Sequence, residues 1–284
     1  MLHTAKVCIM IPCFNQSGYI IKAVESALAQ DYPLIEIVVA DDNSTDNTAV
    51  LLQPYIKSNR IKYIKNQVNL GRVKNYHSTL QQQTDADWMI NLDADDYYSN
   101  NKFISEAIAA IQKSANSGTV LFYQGTHIIK KDGSEIITKS AITAPQFLIT
   151  GEAYFFNYFI NKHFSHMATL YNRKLALQSG FYEKNILSAD MYSILKLCIN
   201  YSNLQVILSN NIAGIWLQHN TNSSKTLSFN EHYKNLTAFI NLYNQAVAKG
   251  FNKPICRKWL ITAVKTYLLT YTNTVLKSIK NIFK

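Results

Sequence analysis

Ile37-Val38-Val39-Ala40-Asp41-Asp42-Asn43-Ser44-Thr45-Asp46 decides the fold. An apolar run that begins at Ile35 gives way at Asp41 to a wholly polar stretch. The run is short and continuous, which suits a strand buried on both faces. The Asp, Ser and Thr that follow suit a loop able to cap the next helix. The same switch occurs upstream, where Val7-Cys8-Ile9-Met10-Ile11 leads into Pro12-Cys13-Phe14-Asn15. It occurs downstream, where Trp88-Met89-Ile90-Asn91-Leu92 ends in Asp93-Ala94-Asp95-Asp96.

Helical spacing fills the gaps between these runs. Ile20, Val24, Ala27 and Leu28 recur at helical intervals within Tyr19 to Gln30. Val73 to Gln82 and Phe103 to Gln112 read as helices, and Ile61 to Ile64 and Val120 to Tyr123 as short strands. Strands alternating with helices predict an α/β fold with a mostly parallel, doubly wound sheet. Ligands of such sheets bind beyond the carboxyl ends of the strands. All three polar loops fall there.

The middle, about 125 to 224, is less regular. Lys130-Lys131-Asp132-Gly133-Ser134 predicts a hairpin turn and Ala189 to Asn200 a helix. Ser209 to Ser224 reads as loop around Ile212, Ile215 and Trp216. From Phe229 the pattern is helical.

Composition narrows the class. The chain has 284 residues, 48% hydrophobic and 16% charged, so it has ample apolar surface to bury and is not disordered. It contains no apolar run long enough for a transmembrane helix, and its start does not read as a signal peptide. Cys8, Cys13, Cys198 and Cys256 form no CxxC pair, which argues against a zinc ribbon or a disulfide framework and for a reducing cytoplasm. The net charge of +10 is concentrated at the end, because no acidic residue follows Glu231. Only four arginines occur, and no nucleic-acid motif is present, so no nucleic-acid partner is expected.

Each loop admits a chemical and a plain reading. Asp93, Asp95 and Asp96 would repel one another unless a cation neutralised them, and oxygen ligands at a strand end suit Mg²⁺ or Mn²⁺ beside a diphosphate. The plain reading is a solvated, helix-capping turn. Asp41 to Asp46 could grip a ribose or a base N–H, or merely cap a helix. Phe14 could stack on a nucleobase or be an ordinary exposed aromatic. Asp190 precedes an apolar helix, as a cap would. His219 could ligate a metal or be structural.

Together, the loops resemble the inverting family 2 glycosyltransferases of the GT-A fold. The resemblance rests on Val7 to Asn15, Ile37 to Asp46, Asn69-Leu70-Gly71 with Lys74-Asn75, and the D-x-D of Asn91 to Asp96. It is good over about residues 6 to 112 and thinner to about 224. It implies a Rossmann-like nucleotide-binding half (1–112) and an acceptor-binding half (113–224); it does not cover the tail, whose charge and periodicity read as a basic helical C-terminal extension (225–284). Phe14 would stack on uracil beside Pro12, and Asp42 would accept from the base N3–H. Asp93, with Ala94, would lie near the ribose. Asn15 and Asn75 would also face the nucleotide sugar. Asp95, helped by His219, would hold Mn²⁺ or Mg²⁺.

Ala189-Asp190 stands where the family carries an E-D pair, so Asp190 would be the catalytic base and the Glu is replaced by Ala. The late segment Trp216 to His219, followed by Ser223-Ser224, lacks the family's usual Arg. The resemblance implies transfer from a UDP-sugar to a glycan or lipid-linked acceptor in bacterial polysaccharide synthesis, lipopolysaccharide or capsule. A non-catalytic nucleotide-sugar-binding scaffold of the same fold is the alternative.

Leu260, Val264, Tyr267, Leu268, Tyr271, Val275, Ile279 and Ile282 share one face of the last helix. That face could lie on an anionic membrane at the inner side of the plasma membrane. Packing on the body or on a second subunit of a homo-oligomer is slightly favoured, because Tyr and Thr dilute the apolar face. Phe155, Phe156, Tyr158, Phe159, His163 and His166 line an acceptor cleft or belong to the core.

Overall fold

The computed structural model describes residues 5–82, 85–115, 118–131, 134–137, 145–161, 164–219 and 229–282. The order is β1 (Val7–Cys13), α1 (Ile20–Leu28), β2 (Ile35–Asp41), α2 (Thr48–Lys57), β3 (Lys62–Lys65), α3 (Arg72–Gln82), β4 (Trp88–Asn91), β5 (Tyr97–Tyr98), α4 (Phe103–Ala115) and β6 (Val120–Lys131). Then come β7 (Ser134–Ile137), β8 (Gln146–Thr150), α5 (Gly151–Asn161), a 3-10 turn (His166–Ala168), β9 (Thr169–Asn172), α6 (Arg173–Gln178), α7 (Ala189–Asn200), β10 (Gln205–Gln218), α8 (Phe229–Ala248) and α9 (Lys253–Ile282).

One mixed, mostly parallel sheet runs β3-β2-β1-β4-β9-β6-β10-β5, with β7 on β6 and β8 on β10. β1 lies between β2 and β4, parallel to both. β9 is antiparallel to β4 and to β6. β6 and β10 are parallel to each other.

β1 is buried along its whole length because helices cover both faces of the sheet. Its side chains divide by alternation. Val7, Ile9 and Ile11 join α1 and α4 in one core, while Cys8 and Met10 join α3 and α7 in the other. Each fully buried Val or Ile contributes about 1.5–3 kcal/mol by leaving water. The four cysteines are buried and free, and burial pushes the Cys198 thiol up.

The expected parallel core is present, with strand ends shifted by a residue or two. Ser209 to Ser224 is a correction. Residues 209–218 belong to the 14-residue strand β10, not to a loop; 220–224 lie outside the described residues. The polar triplet Ser209-Asn210-Asn211 sits at a register shift between Leu208 and Ile212. Ser209 Oγ donates to Pro145 O, and Asn211 Nδ2 donates to the Tyr123 hydroxyl. A bulge lets polar side chains leave the ladder without ending the strand. The short strand expected at Val120 also runs on to Lys131, because β10 pairs with it throughout. The hairpin expected at Lys130 to Ser134 forms between β6 and β7, its tip at 132 and 133 lying outside the described residues.

Gly214 of β10 pairs with Tyr98 of β5. A Cβ at Gly214 would come within 2.3 Å of the Tyr97 carbonyl oxygen. The glycine therefore lets β5 lie close, and β5 carries the loop of residues 93–96 against β10.

The last helices fold back on the body. Trp259 stacks on Phe155 with centroids 4.3 Å apart, and Ala238, Phe239, Leu242 and Ala263 share that core with α5 and α7. Leu260 and Tyr267 pack inward and Leu268 is exposed. The side chains of Tyr271, Val275, Ile279 and Ile282 lie outside the described residues. Among those residues, no helix is long and apolar enough to cross a membrane.

Candidate active site

Four loops meet at the carboxyl ends of β1, β2, β3 and β4, and the 3-10 turn and the start of α7 close the wall. Together they enclose a cleft of about 660 Å³.

The first two loops hold each other. Asn15 has a left-handed φ of 53°, a conformation Asn tolerates better than most residues. Its N–H donates to Ser44 Oγ, and its Oδ1 accepts from Thr45 N–H at 2.9 Å. Asp46 accepts from Ser17 N–H and Thr48 N–H, so it ties the loop to the start of α2. Burial opposes its charge, but these hydrogen bonds outweigh it and hold the Asp46 carboxyl at about 2. The result leaves Phe14 45% exposed at the cleft beside Pro12. Asn15 is not among the residues lining it.

Asp42 is buried, and its carboxylate organises the third loop. Oδ1 accepts from Asn66 Nδ2 and Leu70 N–H, and Oδ2 accepts from Gly71 N–H at 2.8 Å. Gly71 has φ 82°, which favours glycine. Asn75 spans the space behind it, donating to Ala40 O and accepting from Asn66 Nδ2. A carboxylate has about four acceptor positions, so Asp42 keeps capacity for one more donor in the cleft.

The fourth loop presents the acidic cluster. Asp93 Oδ1 accepts from the Tyr76 hydroxyl at 2.7 Å. Asp95 Oδ2 lies 2.8 Å from His219 Nε2, and His219 stacks on Tyr19. Burial and the neighbouring Asp93 charge raise the Asp95 carboxyl, and the His219 hydrogen bond opposes them. Asp96 is buried and accepts Leu217 N–H at 2.9 Å. That bond anchors the end of β10, which brings His219 to Asp95. Ala94 lines the cleft between the carboxylates. Ser223 and Ser224 lie outside the described residues.

The far wall holds Asp190 in the first turn of α7, where the helix N-terminus favours negative charge. His166 Nε2 lies 2.7 Å from Asp190 Oδ2. Burial would raise the Asp190 carboxyl, but the His166 imidazole and the Arg72 guanidinium reverse this and bring it to about 2. Burial would lower the His166 imidazole, and Asp190 raises it above the ordinary range. Arg72 reaches the same wall, donating from Nη2 to Leu187 O at 2.5 Å.

One cleft thus gathers Pro12, Phe14, Asp42, Asn75, Asp93, Ala94, Asp95 and Asp190, with His219 against Asp95. Sequence reasoning did not single out Arg72 or Tyr76, both of which line it, and Trp216, which begins the late segment, lines it as well. Arg72 follows the Asn69-Leu70-Gly71 motif directly, a signal that was available. His166 was an open choice between cleft and core, and it lines the cleft; His163 lies outside the described residues. Phe155 is core, not cleft.

The chain is similar to known proteins in sequence and in fold. The model of the Glycosyl transferase family 2 matches residues 8–178. A Campylobacter jejuni GalNAc(5)-diNAcBac-PP-undecaprenol beta-1,3-glucosyltransferase is 33% identical over 131 residues, 45% of this chain and 40% of that protein. The Staphylococcus aureus poly(ribitol-phosphate) beta-N-acetylglucosaminyltransferase TarS is 26% identical over 124 residues, 43% of this chain and 22% of that protein. The chain thus spans less than half the length of either relative. A structure of S. aureus TarS 1-349 in complex with UDP-GlcNAc superposes with a TM-score of 0.73 at 19% identity, covering 90% of this chain and 70% of that one. The mannosyltransferase PcManGT of Pyrobaculum calidifontis, in complex with GDP-Man and Mn²⁺, gives a TM-score of 0.59 at 15% identity, covering 98% and 79%. Such identities show the fold alone: GT-A, with the helical C-terminal region added.

Proposed function

The chain belongs to the family 2 glycosyltransferases, and from that premise we propose that it transfers a sugar from a UDP-sugar to a glycan or lipid-linked acceptor, with inversion, in bacterial surface-polysaccharide synthesis. The observation that carries this reading is the convergence of Phe14, Asp42, Asp93, Asp95 and Asp190 on one cleft. In this reading residues 1–224 are the catalytic body and 225–284 a helical extension.

Phe14 offers an exposed ring on which uracil stacks. Asp42, already fixed by three donors, accepts the base N–H at its remaining position. Asp93, held by Tyr76, meets the ribose. Asp95 and His219 suit Mn²⁺ or Mg²⁺: a carboxylate raised by a like-charged neighbour gains from a cation, and an imidazole nitrogen completes an O/N pair. Among the described residues no larger cluster of ligating side chains is assembled, so diphosphate oxygens and water would fill the remaining positions. When bound, the cation supplies Lewis-acid stabilisation of the leaving diphosphate.

Asp190 acts as the base. The acceptor oxygen forms its bond to the anomeric carbon, its proton passes to the Asp190 carboxylate, and the carbon–oxygen bond to the diphosphate breaks with its electron pair. The cationic residues of α9, including Lys253, Arg257, Lys258 and Lys265, are exposed. They are the surface through which we place a peripheral contact with an anionic membrane that carries a lipid-linked acceptor.

Thermal unfolding with UDP, GDP or CMP, each with Mn²⁺ or EDTA, tests the donor site. A ligand of the native state raises the melting temperature. Mn²⁺-dependent stabilisation by UDP, lost in Asp95→Ala, is the expected result. Equal or absent shifts with all three nucleotides would overturn the UDP reading. UDP release from a panel of UDP-sugars that stops in Asp190→Asn, with UDP binding intact, would exclude the scaffold alternative.

A further inference from the structure

The chain has Ala189 where the family resemblance places a glutamate beside the base. The polar group that reaches Asp190 comes instead from the 3-10 turn. His166 Nε2 is 2.7 Å from Asp190 Oδ2. Its other nitrogen, Nδ1, lies 3.4 Å from both Asn91 Nδ2 and the Tyr182 hydroxyl. Asn91 Nδ2 is a donor only, and it also donates to the Tyr182 oxygen at 2.7 Å. The single Tyr182 hydroxyl hydrogen can turn to Nδ1 or to the Tyr171 hydroxyl oxygen. Nδ1 therefore faces the Asn91 donor and a hydroxyl able to donate, and it accepts, which puts the imidazole proton of the neutral ring on Nε2, aimed at Asp190.

The network is built into the body. Asn91 ends β4 and its Oδ1 accepts from the Tyr171 hydroxyl of β9. Tyr182 takes a left-handed φ of 60°, held by its N–H donating to Ser193 Oγ. Ser193 Oγ donates in turn to Ala189 O in the turn that carries Asp190. A bulky residue in that conformation is costly, so the contact fixes the ring at a place the backbone would not choose. The charged and titratable groups that bear on His166 are Asp190 on α7, Asp93 after β4 and Arg72 on α3, with Tyr76 and Tyr182 ring to ring against it.

We propose that His166 is the positioning residue of the base: its Nε2–H pins one oxygen of Asp190, the Asn91–Tyr182 pair fixes its tautomer, and the other carboxylate oxygen is thereby presented to the acceptor hydroxyl. This rests on the reading of Asp190 as the base. When His166 is protonated the pair is a closed ion pair and Asp190 is a poor proton acceptor. When His166 is neutral, the hydrogen bond remains and the carboxylate recovers basicity. Turnover then rises with pH along the titration of His166.

Two readouts separate this proposal from the functional reading. The first needs no turnover. NMR of the full chain with ¹⁵N-labelled histidine reports the tautomer and midpoint of His166. A neutral ring protonated at Nε2, with a midpoint that falls in Asp190→Asn, is expected. A ring protonated at Nδ1, or a midpoint unmoved by Asp190→Asn, would overturn the proposal. The second follows UDP release from UDP-GlcNAc, UDP-Glc, UDP-Gal and UDP-GalNAc, with water as acceptor. His166→Ala should lower kcat roughly 10–100-fold, a range typical of groups that orient a reacting ligand, leave KM for the donor within about twofold, and remove the ascending limb of the pH profile. His166→Gln, which keeps a donor N–H, should restore most of kcat. Parental kcat and pH profile in His166→Ala would refute the role. A parent that releases UDP from no donor would count against the functional reading, while the NMR arm would still decide the pairing.

Discussion

The Tyr76 hydroxyl donates to Asp93 Oδ1 at 2.7 Å, joining a buried side chain of α3 to the acidic loop after β4. Burial and the adjacent Asp93 charge both hold the phenol well above its ordinary range, so it stays protonated and remains a donor. The bond fixes a carboxylate that would otherwise be pushed by Asp95. Tyr76→Phe keeps the ring and its packing and removes the hydroxyl, which donates to Asp93 and accepts from the Arg72 guanidinium. It should cost about 1 kcal/mol of stability and weaken UDP binding roughly 3–10-fold. Calorimetric titration with UDP checks this; unchanged affinity would mean that Asp93 does not depend on Tyr76.

Asp42 tests whether the second loop is an organiser or only a ligand. Its removal leaves the half-buried Leu70 N–H without its acceptor, takes one acceptor from Asn66 Nδ2, and leaves Gly71 N–H with Asn69 Oδ1 alone. A hydrogen bond to a charged group contributes about 1.5–3 kcal/mol. Asp42→Ala should therefore lower the melting temperature by several degrees even without nucleotide. A melting curve within about 1 °C of the parent would show that the third loop stands without it.

Phe14 predicts the opposite pattern. It is 45% exposed and belongs to neither hydrophobic core. Phe14→Ala should change stability by less than about 0.5 kcal/mol. Base–aromatic stacking is worth about 1–3 kcal/mol, so UDP affinity should fall about tenfold or more. Equal UDP affinity in the two proteins would remove Phe14 from the base site.

The Asp190–His166 pair also sets a pH window of stability. The Asp190 carboxyl is depressed from 3.8 to about 2, so its contribution is present above 3.8 and is lost as pH falls through about 2. His166 is raised above 6.5, so its contribution is complete below 6.5 and is lost as pH climbs through the raised midpoint. The gap in melting temperature between parent and Asp190→Asn should be widest between about pH 4 and 6.5. A gap that is flat from pH 4 to 9 would show that the two groups do not stabilise each other.

The sequence by itself determined the parallel half of the sheet and the place of the cleft. An apolar run that stops at Asp41, Pro12 or Asp93 carries strand, direction and loop in a few adjacent residues, and β1, β2 and β4 begin within a residue of where those runs predict. The motif residues were legible for the same reason, since each lies where a strand ends. Their duties were not. Asp42 and Asn75 use most of their hydrogen bonds on other loops, and Asn15 ties Thr45 instead of lining the cleft.

Only the tertiary structure decided which groups meet. Asp95 and His219 are 124 residues apart, and Arg72 and Leu187 are 115 apart. These pairs are set by sheet order: β9 and β6 insert between β4 and β10, and β5 returns along Gly214. No local pattern encodes that order. β10 itself looked like a loop because its polar bulge is satisfied by Pro145 and Tyr123, partners remote in the chain. His166 likewise becomes the partner of Asp190 only when the 3-10 turn between α5 and β9 is laid against the start of α7. Periodicity records which face of an element is buried; the identity of the opposing face is fixed by chain crossings that cost no local signal.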